Sequence, residues 1–184
     1  MSDIHSTYED KMNKSIAALK DEFNSLRTGR ASASLFEKIR VDCYGELTPL
    51  NQLASISIPE ARLVVIQPWD KSLLGDIEKA ILKSELSLNP ANDGKIIRIA
   101  IPPLTEERRK ELAKQAKTLA EQCRVAIRNI RRDGIDEAKK MQKEGTLSED
   151  TLKAAEEKFQ KATDTHISNI NKILAEKEKE ILEG

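Results

Sequence analysis

The stretch Thr105-Glu-Glu-Arg-Arg-Lys-Glu-Leu-Ala-Lys-Gln-Ala-Lys-Thr-Leu-Ala-Glu-Gln-Cys-Arg-Val-Ala-Ile-Arg-Asn-Ile-Arg-Arg132 decides the fold. Pro102 and Pro103 forbid helix just before it, Thr105 suits an N-cap, and Glu106 and Glu107 suit a positive helix end. Its apolar seam runs Leu112, Ala116, Leu119, Cys123, Ile127 and Ile130. Alternating steps of four and three make the narrow stripe of a helix bundle or coiled coil. The pattern continues through Met141 to Gly145, which predicts about 40 helical residues and a rod of roughly 60 Å. A single compact globule of this chain length cannot cover such a rod, so partner helices must.

The two ends of the chain supply them. Tyr8, Met12, Ile16, Leu19, Phe23 and Leu26 recur at helical spacing over Ile4 to Leu26, before Gly29 ends the pattern. Leu152, Ala155, Phe159, Ala162, His166, Ile170, Leu174 and Ile181 form a third seam. Thr146-Leu-Ser-Glu149 ahead of it fits a capping box, with Ser148 as a competing cap. The short break between the second and third helices predicts that they run antiparallel.

Residues 31–103 read differently. Ile39, Val41 and Cys43 alternate with polar neighbours up to Gly45, as in a strand. Leu53 to Ile58 alternates too, Arg62 to Gln67 reads as a buried strand stopped by Pro68, and Lys95 to Ile101 reads as another. One amphipathic helix fits Ser72 to Lys83, with Leu73, Ile77, Ala80 and Ile81 inward. Asn89 to Gly94 is dense in turn residues. A helical domain (1–29 and 105–184) is therefore split by an inserted α+β domain (30–104). The crossings at Thr28-Gly29-Arg30 and Pro102-Pro103-Leu104 are short, as at a hinge. The alternative is one packed α+β domain.

The 184 residues are 39% hydrophobic, 3% aromatic and 34% charged, with 31 basic and 31 acidic side chains. Balanced charge excludes a uniformly basic coat protein but not a local patch. No apolar run approaches the roughly 18 residues of a membrane span. The N-terminus has neither a basic signal-peptide region nor Arg-rich transit character. Cys43 and Cys123 suggest no disulfide framework. The reading is of a soluble, intracellular protein.

The charge is unevenly placed. Residues 105–132 hold nine basic and four acidic side chains. On a helical projection from Cys123, Lys110, Lys117, Arg124, Arg128 and Arg131 fall between about 80° and 140°, a basic flank with Glu121 as its one nearby acid. A planar guanidinium matches phosphate with two hydrogen bonds, so an arginine ladder fits a nucleic-acid backbone. With one Trp, two Tyr and three Phe, and Phe23 and Phe159 on seams, base stacking is a minor expectation. The competing account is a solvated flank paired to the nine acids of the third helix.

Catalytic signatures are absent: no P-loop, no Gly-rich dinucleotide turn, no His-Glu-x-x-His, no Cys-x-x-Cys. His5 and His166 have no second metal ligand at suitable spacing, and Cys123 reads as a small core residue. No metal or cofactor is expected, and a binding protein is expected rather than an enzyme.

Five blocks carry a resemblance. They are Leu26-Arg-Thr-Gly-Arg-Ala-Ser32, Tyr44-Gly45 with Thr48-Pro-Leu-Asn-Gln-Leu-Ala54, Leu88-Asn-Pro90, Ile101-Pro-Pro-Leu-Thr-Glu-Glu-Arg-Arg-Lys110 and Val125-Ala-Ile-Arg-Asn-Ile-Arg-Arg-Asp133. Through them the chain resembles the ribosome recycling factors from end to end. The resemblance implies an L-shaped, hinged α+β protein: an elongated antiparallel three-helix bundle with an inserted small β/α/β domain. It implies a monomeric translation factor, and the lack of an Arg-rich presequence points to a bacterial cytoplasmic form rather than an organellar one. Such a factor binds the post-termination ribosome and acts with elongation factor G and GTP hydrolysis, the partner being the GTPase. Subunits then separate, releasing mRNA and tRNA, with no membrane or small-molecule substrate involved. By motif, Arg109, Arg128, Arg131 and Arg132 would contact large-subunit rRNA, with Arg27 and Arg30 as weaker candidates. Arg132 and Arg109 project near 180° and 40°, less well aligned with the flank than Arg128 and Arg131. Gly134 departs from the family's usual alanine and marks a kink or a close helix approach. The rival hypothesis is a cytosolic helical-bundle adaptor whose basic flank meets an acidic protein; apolar residues on a second helix face would favour it.

Overall fold

A computed structural model describes residues 2–26 and 28–183; Arg27 lies outside the described residues. The chain divides into two compact units. One comprises residues up to Thr28 together with Glu106–Glu183, the other Gly29–Thr105.

The first unit is three helices: α1 (Ser2–Ser25), the 38-residue α4 (Glu106–Lys143) and the 35-residue α5 (Glu149–Glu183). Their relative directions follow from side chains that meet. Tyr8 bonds Glu137 while Ser15 meets Cys123, so α1 runs antiparallel to α4. His5 packs on Phe159 and Asn13 meets His166, so α1 runs parallel to α5. Arg124 reaches Asn171 and Arg131 reaches Gln160, so α4 and α5 are antiparallel.

Large core side chains on α1 (Tyr8, Met12, Ile16, Leu19, Phe23) face an α4 seam rich in small ones (Ala116, Ala120, Cys123, Gly134, Ala138). Interdigitation of large and small residues fills a bundle interior at close-packed density. Most of the expected seam is buried, but Leu26, Ile130, Leu152 and Leu174 are half-buried, and the seam centre shifts at two places. Ala120 is buried where Leu119 is only half-buried, and Thr163 is buried where Ala162 is half-buried. Thr163 tolerates burial because its hydroxyl donates to the Phe159 carbonyl at 2.7 Å.

The α4–α5 corner explains two motifs. Gly145 takes φ +83, its N–H donates to Gln142 at 3.1 Å, and the Thr146 N–H donates to Met141 at 2.9 Å. These two bonds define a Schellman cap. Thr146 therefore closes α4, and Ser148 caps α5 by accepting from the Thr151 N–H at 3.1 Å. Gly134 is a close approach within an unbroken helix: a Cβ there would sit 2.7 Å from Cε1 of Phe159.

The second unit is a small α+β body. Strands β3 (Ala54–Glu60), β4 (Leu63–Pro68), β6 (Ile97–Ala100) and β5 (Pro90–Asn92) form an antiparallel sheet in the order β3-β4-β6-β5. Strands β1 (Arg40–Cys43) and β2 (Glu46–Pro49) form a separate hairpin. Helix α3 (Leu74–Lys83) packs on β1 and β5, and one turn, α2 (Leu50–Leu53), leads into β3. Val64 and Ile66 of β4 join Ile97 and Ile99 of β6 and Leu73, Leu74, Ile77 and Ile81 in one core. Leu63 and Val65 are half-buried, so β4 presents one inner face where its apolar run predicts two. Both crossings anchor on the β3–β4 turn: Ala31 N–H donates to Ala61 at 2.7 Å and Ile101 N–H to Arg62 at 2.8 Å.

Two predictions follow from the bundle. Replacing Gly134 by Ala gains about 1 kcal/mol of helix propensity but forces the buried Phe159 ring aside, at about 1–3 kcal/mol. Urea unfolding should show Gly134→Ala less stable by about 1 kcal/mol, with a smaller loss in a Phe159→Leu background; a gain in stability would refute the close approach. The second concerns Tyr8, whose phenol is pushed up to about 12 from 10.0 by its hydrogen bond to Glu137, with burial adding to it. A raised folded value means that this bond's contribution is intact below the unfolded value of 10.0 and fades as pH rises through about 12. Absorbance at 295 nm on the Tyr44→Phe protein should follow that late ionisation, and Glu137→Gln should bring it back toward 10.0.

Candidate nucleic-acid interface

The seam fixes where the basic residues of α4 stand. Ile127 is fully buried, which puts Arg124 and Arg131 at the edge of the α4–α5 contact, half-buried, and Arg128 and Arg132 outside it, exposed. Lys110 and Lys117 are exposed and Arg109 is half-buried, with its Nε buried and unpartnered among the described residues.

The partners of these arginines differ from what the competing solvated-flank account requires. Arg124 donates from Nε and Nη2 to Oδ1 of Asn171 at 3.0 and 2.8 Å, and its Nη1 meets Glu121 at 2.9 Å. Arg128 reaches the other oxygen of Glu121 at 3.4 Å. Arg131 donates to Oε1 of Gln160 at 2.7 Å, and Gln160 in turn donates to Asp164 at 2.9 Å. Among the described residues, no acid of α5 pairs with Arg124, Arg128, Arg131 or Arg132, and the α5 groups that hydrogen-bond to these arginines are neutral amides. One carboxylate, Glu121, is shared by two guanidinium groups. Among the described residues, Lys110, Lys117, Arg131 and Arg132 have no ion pair.

Electrostatically this is a fixed positive face. The Glu121 carboxyl is held below the ordinary glutamate range, chiefly by its hydrogen bond from Arg124 and less by Arg128. Helix α4 carries no aromatic residue, so the flank offers nothing for base stacking. The exposed aromatic side chains are Tyr44 and Trp69, both in the second unit. Phe23 and Phe159 are core residues, as their seam positions predict. His166 is buried too, with Nδ1 donating to the Ala162 carbonyl at 2.6 Å and Nε2 at 2.8 Å from the Asn13 amide. No group of His, Cys, Asp and Glu that could hold a metal ion occurs among the described residues, and no described helix is long and apolar enough to cross a membrane.

Asn171 and Gln160 escape a sequence reading that searches for charge. A signal was nevertheless present: each directly follows a seam residue, Ile170 and Phe159, on the side facing α4. Thr28 and Gly29 are buried, Arg30, Pro102 and Pro103 exposed, and Leu104 half-buried.

A long helical bundle with an arginine-bearing flank, interrupted in sequence by a small α+β unit, is the class of protein these features define. A family model described as ribosome recycling factor matches residues 19–182. The ribosome-recycling factor of Treponema denticola is 69% identical over 184 residues, covering 100% of both chains. That of Acetivibrio thermocellus is 55% identical over 181 residues, covering 98% of this chain and 99% of its own. A solution structure of a ribosome recycling factor, 44% identical, superposes with a TM-score of 0.76 over 100% of this chain and 97% of that one. A second structure, 46% identical with TM-score 0.63 and 98% coverage of both chains, models the T. thermophilus ribosome recycling factor and the E. coli elongation factor G bound to the E. coli post-termination complex. The chain belongs to the ribosome recycling factor family.

The geometry at Glu121 makes a prediction. Its depressed value means that the contacts with Arg124 and Arg128 stabilise the fold at neutral pH and fade as pH falls through that value. In an NMR pH titration, Arg124→Ala should raise the Glu121 value toward that of an ordinary glutamate, and by more than Arg128→Ala does. A larger effect of Arg128→Ala would reverse the assignment.

Proposed function

We propose that this chain binds the post-termination ribosome through large-subunit rRNA and, with elongation factor G and GTP, splits it into subunits. Release of mRNA and deacylated tRNA then frees the subunits for another round of initiation. The observation that carries the RNA-binding part is the flank of α4, where neutral amides orient Arg124 and Arg131 and Glu121 is the one carboxylate paired with its arginines among the described residues. Phosphate is the group such a face engages, through guanidinium N–H donors and counterion release. Arg128 and Arg132, exposed, and Arg131, oriented by Gln160, are the leading contacts, with Arg109, Lys110 and Lys117 extending the footprint toward the start of the helix. Arg124 is the weakest candidate because all three of its nitrogens are engaged within the bundle. Membership of the family and the neighbour structure's placement beside elongation factor G on the post-termination complex support the partner assignment.

In this reading the chain is a cytoplasmic translation factor and not an enzyme; the GTPase partner hydrolyses the nucleotide. The helical domain spans 1–29 and 105–184, and the inserted domain 30–104. Thr28, Gly29, Arg30, Pro102, Pro103 and Leu104 form the hinge. Gly29 stands at φ +78, and the crossings on both sides bond to one turn of the inserted domain, which supports a two-strand pivot. Elongation factor G pushes the inserted domain about this pivot while the bundle holds the RNA. Against the adaptor alternative, the only large hydrophobics exposed among the described helices of the bundle are Val125 and Leu182; with Asn171 opposite Arg124, Leu182 lies about 16 Å along the bundle from Val125, so the two make no second apolar face.

Sedimentation of 70S post-termination complexes tests this. Subunits should appear only when the chain, elongation factor G and GTP are all present. Arg128→Glu and Arg132→Glu should each weaken large-subunit binding by about tenfold or more, since a charged hydrogen bond contributes about 1.5–3 kcal/mol. Thermal stability of Arg132→Glu should be unchanged. No splitting, together with unchanged large-subunit binding by both variants, would move the assignment to the adaptor.

A further inference from the structure

The contact between Arg131 and α5 has a chemistry that simple packing does not require. Arg131 is half-buried, and its Nε is buried with no partner among the described residues. Its Nη1 is held by Gln160, whose amide nitrogen is held by Asp164, one helical turn further along α5. The carboxylate thus lies one amide away from the guanidinium. A glutamate at 160 would fit the same space and accept the same hydrogen bond, and would form an ion pair that cancels the arginine's charge. Asn171 treats Arg124 the same way, with one amide oxygen accepting two guanidinium bonds.

We propose that Gln160, oriented by Asp164, is a positioning residue for RNA binding. It fixes the direction of Arg131 on the flank through a neutral acceptor, so that the side chain is ordered before binding while its full charge remains available to a phosphate. Ordering a long side chain in advance removes a cost otherwise incurred on association. A neutral acceptor removes none of the Coulombic attraction, whereas a carboxylate acceptor would remove nearly all of it at that position. The inference rests on the flank of α4 being the ribosome-binding face.

Binding of the fluorescently labelled full chain to purified large ribosomal subunits, measured over a series of KCl concentrations, tests it, alongside thermal unfolding. Gln160→Glu should weaken binding by roughly tenfold and reduce the salt slope by about 0.7 to 0.9, the value of one lost phosphate contact. Its melting temperature should change little, because the ion pair gained with Arg131 is offset by the lost hydrogen bond to Asp164 and by the repulsion between the two carboxylates. Gln160→Ala should weaken binding with the slope unchanged, because the charge is kept and only its direction is lost. If Gln160 serves only to hold the helices together, Gln160→Ala will lower the melting temperature and Gln160→Glu will restore both stability and binding, which overturns the proposal. Arg131→Ala and Arg128→Ala separate the two levels. Weakened binding by both arginine variants with wild-type binding by Gln160→Glu refutes the positioning role alone. Wild-type binding by all three refutes the ribosome-facing assignment of the flank itself, and the proposal with it.

Discussion

A 38-residue helix with an apolar seam along its length has to have that seam covered, and everything in the first unit answers to that constraint. Helix α4 is covered on one side by α1 and on the other by α5, and it meets both through small side chains. Ala116, Ala120, Gly134 and Ala138 let the neighbours' large residues come close to its backbone. Gly134 is the extreme case, with Phe159 occupying the place of a side chain. Phe159 in turn packs edge-on against Tyr8 and at a tilt against His5, so one glycine on α4 organises a contact shared by all three helices.

Close packing along the seam determines what the flank can be. Residues about 80–100° around the helix from the seam lie at the helix–helix boundary, where long side chains are partly desolvated and held. Residues about 140–180° away are exposed. Arg124 and Arg131 fall in the first sector, Arg128 and Arg132 in the second. The face therefore combines arginines tied to α5 with arginines exposed to solvent, and the tied ones are Arg124 and Arg131. That α5 offers Asn171 and Gln160 at these places, despite its nine acids, separates this flank from an ordinary solvated helix surface laced with ion pairs.

The bundle was legible in the sequence because its signal is long: three seams of six to eight residues, each bounded by a proline, glycine or cap. The errors within it are errors of phase. A straight helix drifts by about 20° per heptad against a strict seam, and Ala120 replaces Leu119 and Thr163 replaces Ala162 at its centre. Thr163 was hidden further by its hydroxyl, which reads as polar until its bond to the Phe159 carbonyl is seen. In the inserted unit, β2 and β5 were missed because four- and three-residue strands containing Pro49 and Pro90 are too short for a period of two to register. The arginines of the flank were readable from charge alone, but the amides that orient them were not, since neutral residues become significant only once α4 and α5 are in register.

Register is therefore the link between the core and the flank. A seam of alternating fours and threes permits sliding by a heptad at little cost in apolar contact. Polar ties remove that freedom: Tyr8 to Glu137, His166 to Asn13, and the Cys123 thiol to the Ser15 carbonyl each join two helices at one height. A heptad slip of α1 would break all three and leave His166 without its Asn13 partner, a loss of about 1–3 kcal/mol for that group alone. The same three ties place Asn171 opposite Arg124 and Gln160 opposite Arg131. Buried groups that add modestly to stability thus fix where the arginines of α4 stand against α5, and the register of the bundle becomes the geometry of its charged flank.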